Sequence, residues 1–374
     1  MKIDSCIIIK NEDLYIKRLL DNLLKFSDDI YIVDTGSTDN SVNIVKEEIK
    51  KHSNIHLNHF EWVYDFSAAR NYSIGLSENS DYIFWCDASD DFNDSLIQKL
   101  IDFKNDKYND DLYDSYAIMR QYGHLKTPIM GLIKNNIGIQ WKDRVHEYLD
   151  LNYRRNNEEL FCGKELLIHE GIKTRKEDHK NRNIDIFVDM EYKKAHFSSR
   201  NLLFYGNELF EHQRYISAMG IYMLAKDNYD NFLSNGELVY IFCQIWNCYN
   251  YNSNQFLGLF DRLFEFGRNL YNNGVRHNIF SCVLAECYLY KKDIYTAIRL
   301  YEESLSLRPE ECVVVDFLNN DPNEEYILLQ LVASYTELNK QDIAKQYNDK
   351  LLKKYPNNEI GKRNDIYFQN CLLK

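Results

Sequence analysis

A run of apolar and aromatic residues, YIFWC at 82–86, ends directly in DASDD at 87–91. This reads as a buried strand whose C-terminal end is crowded by the carboxylates of Asp87, Asp90 and Asp91, and like charges this close repel unless something positive joins them. A divalent cation carrying a phosphorylated ligand is one such partner. Two further polar clusters, KNE at 10–12 and DTGSTD at 34–39, also follow apolar runs. If all three clusters lie at strand ends, they converge on one crevice.

The elements that must hold them there are legible. Residues 3–9, 30–34, 55–60 and 82–87 read as short strands, and the stretches between and after them read as helices. In NEDLYIKRLLDNLLKFS, Leu14, Leu19, Leu20, Leu23 and Leu24 recur at helical spacing, and TDNSVNIVKEEIKKH and SAARNYSIGLSEN follow the next strands. Strand alternating with helix predicts a mainly parallel sheet covered by helices, which binds ligands at the C-terminal ends of its strands. Neither the G-x-G-x-x-G fingerprint nor the G-x-x-x-x-G-K-[ST] loop is present, so neither of those phosphate-binding devices is available.

From about residue 180 the strand signals fade and a period appears. Ala285, Ala297 and Pro309 are evenly spaced in AECYLYKKDIYTAIRLYEESLSLRP, and Ala344 with Pro356, and Gly206 with Ala218, repeat the interval. Small residues at these positions of a helical pair, with Pro at its end, are the tetratricopeptide pattern, and they let two helices approach closely. Residues 236–275 are helical but fit the template poorly, which leaves three recognisable repeats and one degenerate one. An ordinary helical bundle is the alternative for this half.

A chain of 374 residues with 45% hydrophobic residues and few Gly and Pro (14 and 4) suits a helix-rich globular protein of two domains or three. The formal charge of −12, without a basic stripe interleaved with aromatics, disfavours nucleic acid as substrate. The apolar run at 6–9 is too short for a signal-peptide core or a membrane span, and the expectation is a cytoplasmic protein. Nine scattered cysteines with no C-x-x-C pair point to reduced, buried thiols.

Taken together, CIIIKNE, IYIVDTGSTDNS, FEWVYDFSAARN, IFWCDASDD and WKDRVHEYL resemble, in order and spacing, family 2 glycosyltransferases of GT-A fold over roughly residues 1–150. A GT-A domain followed by tetratricopeptide-like helices is also similar to the glycocin peptide S-glycosyltransferases of the sublancin type, and to some flagellin and polysaccharide transferases. The resemblance implies a nucleotide-sugar donor, inversion at the anomeric carbon, and an α/β GT-A domain at 1–175, connecting helices at 176–200 and an all-α repeat domain at 201–374.

It also implies roles. Asp34 accepts from the uracil N3–H of a UDP-sugar, with Ser37 also in the donor-binding set; the alternative for Asp34 is an N-cap or turn role, which Ser37 and Asp39 fill better. Asn11 and Glu12 face the nucleotide or cap a helix. Arg70, on the first turn of a helix beginning near Ser67, grips a uracil carbonyl or a phosphate. Asp87 reaches the donor ribose and, with Ser89 or Asp90, a Mn²⁺ or Mg²⁺ ion that bridges the diphosphate. Ser89 stands where relatives carry a carboxylate. His169 in LIHEG is a further candidate ligand, and Lys134 in GLIKNN stands near the diphosphate. Glu147, or His146 beside it, is the base that takes the acceptor's proton. The concave surface of such repeats suits a peptide or protein acceptor modified on Cys, Ser or Thr, with exposed aromatics such as Tyr249 and Tyr288 as its contacts, and a homodimer through the helical domain is a second use of that surface. The competing readings are a non-catalytic scaffold on a degenerate transferase fold and a nucleotidyltransferase.

Overall fold

The structure is a computed structural model that describes residues 1–105, 113–122, 125–150, 158–169, 181–228, 233–251, 258–307 and 324–372, with the backbone alone at 122, 125, 158–166, 169 and 371–372. Pro309 lies outside the described residues. The chain forms two compact units, Met1–Ala195 and His196–Lys374.

The first unit opens with β1 (Ile3–Ile9), α1 (Ile16–Leu23), β2 (Ile30–Asp34), α2 (Ser41–Ile49), β3 (Ile55–His59), α3 (Phe66–Ile74) and β4 (Tyr82–Phe84). Then come β5 (Asp90–Phe92), α4 (Asp94–Asn105), β6 (Ser115–Tyr122), β7 (Leu125–Lys134), β8 (Trp141–Lys142), β9 (Tyr148–Leu149), β10 (Glu158–His169) and α5 (Arg182–Tyr192). Eight strands make one mixed sheet in the order β3-β2-β1-β4-β7-β6-β10-β5, and β8 and β9 pair separately. The four strands expected from the alternation are β1 to β4, and they are parallel. The other half of the sheet joins through antiparallel pairing of β7 with β4 and β6.

Alternation within a strand sends side chains to opposite faces. Tyr82 and Phe84 enter a large core with Leu19, Leu20 and Leu23 of α1, Val45 of α2 and Leu96, Leu100 and Phe103 of α4. Ile83 and Cys6 point the other way, into a smaller cluster with Ile133 and Ile139, packed by Ile74 of α3. Covered on both faces, β1 and β4 are mostly apolar, and the buried Asp4 of β1 accepts from Ser77 Oγ at 2.7 Å. Leu14, expected in the first helix, instead precedes it and is exposed, because the helix starts only at Ile16.

The second unit is helical: α6 (Ser199–Glu211), α7 (Tyr215–Asp227), α8 (Asn235–Tyr251), α9 (Leu259–Asn272), α10 (Asn278–Tyr290), α11 (Ile294–Ser306), α12 (Glu324–Glu337), α13 (Gln341–Lys354) and α14 (Glu359–Leu372). The repeat positions serve close packing: Ala218, Ala285, Ala297 and Ala344 are fully buried. The turns of the pairs α6/α7, α10/α11 and α12/α13 have one shared geometry. Gln213, Lys292 and Asn339 adopt positive φ of 58°, 62° and 57°, and the next residue donates its N–H back into the preceding helix, from Arg214 to Leu209, Asp293 to Tyr288 and Lys340 to Tyr335. This unit is a tetratricopeptide-like helical domain. None of its described helices is long and apolar enough to cross a membrane.

Two glycines carry the closest approaches. A methyl on Gly206 would lie 2.5 Å from the Tyr222 ring, and one on Gly267 would lie 2.5 Å from the Phe242 ring; both rings are fully buried. Helix propensity favours Ala over Gly by about 1 kcal/mol, but overpacking costs about 1–3 kcal/mol. Gly206→Ala and Gly267→Ala are therefore expected to lower the urea midpoint, and a raised midpoint would show that the rings move aside. Tyr249, expected to be exposed, is 4% exposed and donates to the Tyr290 hydroxyl at 2.8 Å, while Tyr288 is half-buried with its ring edge-on to Phe264. Exposed tyrosines of this unit are instead Tyr251, Tyr290, Tyr295, Tyr326 and Tyr367 among the described residues, a distinction that helical periodicity alone does not make.

Candidate active site

The acidic turn after β4 is resolved by charge, residue by residue. The chain bends at Asp87, where the Asp90 N–H donates to the Asp87 carbonyl at 3.0 Å. The three carboxylates then separate. Asp91 turns to α1, accepting from Asn22 at 3.1 Å with Arg18 at 3.5 Å. Asp90 is fully buried and accepts from the Asp87 backbone N–H at 2.8 Å and from Arg120 Nη2 at 2.6 Å. Only Asp87 faces the cavity, with one carboxylate oxygen on Arg70 Nη2 at 2.9 Å and the other on Arg120 Nη1 at 3.1 Å. The positive partners of the acidic run are thus guanidiniums: Arg18 for Asp91, and Arg70 and Arg120 for Asp87 and Asp90.

Arg70 is the hinge of the site. It sits on the first turns of α3, which Asp65 caps by accepting from the Ala68 N–H at 2.9 Å. Its Nη2 holds Asp87 while its Nε donates to Glu147 at 2.7 Å. Its guanidinium lies 4.7 Å from the Trp85 ring centre and 4.9 Å from that of Trp141, and the two indoles meet edge to face at 4.5 Å. Burial works against the charge of Arg70, but the carboxylates of Glu147 and Asp87 outweigh it and hold the guanidinium above its ordinary range.

Glu147 stands on the loop between β8 and β9, a segment that needs unusual backbone: Asp143 and His146 have φ of 67° and 54°. Helices α3 and α5 pin this loop. The Asn71 amide exchanges two bonds with the Trp141 backbone, at 2.8 and 2.9 Å. The Phe66 N–H donates to the Arg144 carbonyl at 2.8 Å. Arg144 in turn reaches Asp189 of α5 at 2.9 Å. Adjacent residues of one helix, Arg70 and Asn71, therefore fix both the carboxylate and its loop.

One cavity of about 340 Å³ brings together Asn11, Glu12, Arg70, Asp87, Ser89, His146 and Glu147 from the predicted set, and Lys10, Leu14, Thr35 and Arg182 join them on its wall. Asn11, at φ 58°, ties the loops after β1 and β2 together: its Oδ1 accepts from the Thr38 N–H at 2.7 Å, and its own N–H donates to Ser37 Oγ at 3.0 Å. Asp34 and Ser37 do not line the cavity. The Asp34 carboxylate accepts from the N–H groups of Gly36 and Ser37 at 3.3 and 3.0 Å, closing its own turn. The Glu12 N–H donates to Ser41 Oγ at 2.7 Å.

Lys134 is far from where it was expected. Because β7 runs antiparallel to β4, with Lys134 opposite Tyr82, it stands at the start of β4, at the end of the sheet away from Asp87, and lines a different cavity with Asn71, Ser77 and Gln140. The His169 side chain lies outside the described residues, while its backbone pairs with Asp90. The described side chains expected to hold a metal ion do not fit one as arranged. Asp90 is turned inward with the Asp87 N–H and Arg120 both on its Oδ2, Arg120 stands between it and Asp87, and among the described residues no group of three or more His, Cys, Asp or Glu side chains could hold an ion.

Sequence reasoning missed Arg120, Trp85 and Trp141. Arg120 left one signal, a single charge within the strand run SYAIMRQY, where an unpaired cation is costly.

Residues 5–170 match the family described as Glycosyl transferase family 2. The chain is 22% identical over 323 residues to SPbeta prophage-derived glycosyltransferase SunS of Bacillus subtilis (strain 168) and to Glycosyltransferase SunS of Bacillus phage SPbeta, over 84% of this chain and 65% of each relative. It thus spans just under two thirds of the length of these relatives. Among solved structures, S. aureus TarS 1-349 is similar at a TM-score of 0.38 and 12% identity, over 86% of this chain and 98% of that one. Residues 5–170, on a mixed sheet with an acidic turn at the end of β4, thus match a family 2 glycosyltransferase domain.

Proposed function

We propose that the protein transfers a sugar from a UDP-linked donor to a Cys, Ser or Thr side chain of a peptide or protein, with inversion at the anomeric carbon. The observation that carries this reading is the single guanidinium of Arg70 joining Asp87, on the donor side of the cavity, to Glu147 on the other. Support for the peptide acceptor comes from the resemblance to glycocin S-glycosyltransferases and from the tetratricopeptide-like domain.

In this reaction the acceptor sulfur or oxygen attacks the anomeric carbon from the face opposite the diphosphate. The bond from that carbon to the diphosphate oxygen breaks, its electron pair leaves with UDP, and Glu147 receives the acceptor's proton. The charge developing on the diphosphate is met by Arg70, Lys10 and Arg182 on the cavity wall. Among the described residues, the side chains do not assemble a set for the Mn²⁺ or Mg²⁺ common in this family.

Donor binding is tested by heat. UDP should raise the melting temperature of the protein more than CMP or AMP does. Arg70→Ala should weaken UDP binding by about 1–3 kcal/mol, the range for a charge-assisted hydrogen bond. Equal protection by all three nucleotides, or unchanged UDP protection in Arg70→Ala, would place the donor elsewhere.

A further inference from the structure

Two carboxylates three residues apart on one tight turn need a cation between them, and a strand of the same sheet supplies it. Arg120 on β6 spans the pair with its fork, Nη1 on Asp87 at 3.1 Å and Nη2 on Asp90 at 2.6 Å. Its guanidinium rests 5.6 Å from the Trp85 ring centre, on the same indole that supports Arg70. Asp90 has no exposure and is held from behind by the Asp87 N–H, so it cannot turn outward without breaking the bend itself. Burial opposes the charge on Arg120, and Asp87 and Asp90 overcome it, holding the guanidinium above its ordinary range.

We propose that Arg120 is the resident counter-ion of the Asp87/Asp90 pair and the positioning residue that aims Asp87 into the cavity, so that the protein without nucleotide takes up no divalent cation at this turn. A Mn²⁺ or Mg²⁺ ion shared by the two carboxylates needs oxygen ligands at about 2.0–2.2 Å, and the guanidinium fills that gap with a positive charge of its own. A fixed organic cation thus stands where Mn²⁺ or Mg²⁺ was expected. Its planar fork matches two acceptors at once, which a lysine does not.

The inference concerns the site of the proposed transfer but rests on ion geometry alone, so an assay without sugar or acceptor separates its failure from the failure of that reading. Free Mn²⁺ gives a six-line electron paramagnetic resonance signal that is lost on binding. Titrated with Mn²⁺ in the absence of nucleotide, the wild-type protein and Asp87→Asn should deplete this signal equally. Arg120→Met, which frees the carboxylates, should bind Mn²⁺ at least tenfold more tightly than wild type, and adding Asp90→Asn should remove the gain. Arg120→Lys, which keeps a positive charge, should stay close to wild type. The proposal is overturned if wild type binds more Mn²⁺ than Asp87→Asn, or if Arg120→Met with native circular dichroism gains no affinity. Should Arg120→Met fail to fold, the comparison of wild type with Asp87→Asn decides alone.

Discussion

Glu147→Gln is expected to reduce the rate of sugar transfer by roughly 10²–10⁴-fold to a hydroxyl acceptor, the usual contribution of a positioned general base. The substitution keeps the shape of the site while removing one of the two carboxylates that balance Arg70. The oxygen that accepts from Arg70 Nε at 2.7 Å is retained in the amide, and the β8–β9 loop keeps its anchors on Asn71 and Phe66. UDP protection should therefore stay at the wild-type level while turnover falls. The size of the loss reports on the acceptor atom: a thiol, with a pKa near 8.5, gives up its proton far more easily than an alcohol, so a Cys acceptor should show a much smaller drop. Undiminished transfer to a Ser or Thr acceptor would remove Glu147 from the base role, and a loss in His146→Ala instead would move that role to His146.

Arg70→Met should be the most destabilising change in the N-terminal unit. It leaves Asp87 and Glu147 without their shared partner and takes the cation from between Trp85 and Trp141. Breaking a buried ion pair costs about 3–5 kcal/mol; Asp87 is about one third exposed, and solvent there brings the expected loss to about 3 kcal/mol. Arg70→Lys should recover little of it, since an ammonium cannot present Nε and Nη2 to two carboxylates held on opposite sides. Urea unfolding of both variants checks this. A Lys variant as stable as wild type would mean that charge alone, without the fork, holds the site together.

How much of this was readable depends on whether the information was local. The parallel half of the sheet follows from alternating strand and helix patterns, each set within about twenty residues, and β1 to β4 fall where the patterns put them. The antiparallel half was not read because Pro128 and Gly131 interrupt the β7 pattern, and β4 is only three residues long before its chain bends away. Lys134 was assigned to the diphosphate from its neighbours alone, yet its position is fixed by long-range pairing with Tyr82, which no local pattern contains. The crowding of Asp87, Asp90 and Asp91 was legible, as was the need for positive charge. The identity of that charge was not, since Arg120 arrives from a strand thirty residues further on. The repeat positions were clear in the helical domain because Gly206, Ala285 and Ala344 are set by packing. Surface and interior tyrosines, which share one amphipathic spacing, were not separable.

The central claim is the transfer itself, and intact-mass analysis tests it most directly. The protein is incubated with a mixture of UDP-sugars and a panel of peptides containing Cys, Ser and Thr, beside Glu147→Gln as control. The account predicts a peptide gaining the mass of one sugar residue with stoichiometric release of UDP, on a side chain that fragmentation locates, and a much slower gain in the control. A folded wild-type protein that releases no UDP from any donor and adds mass to no peptide would contradict it.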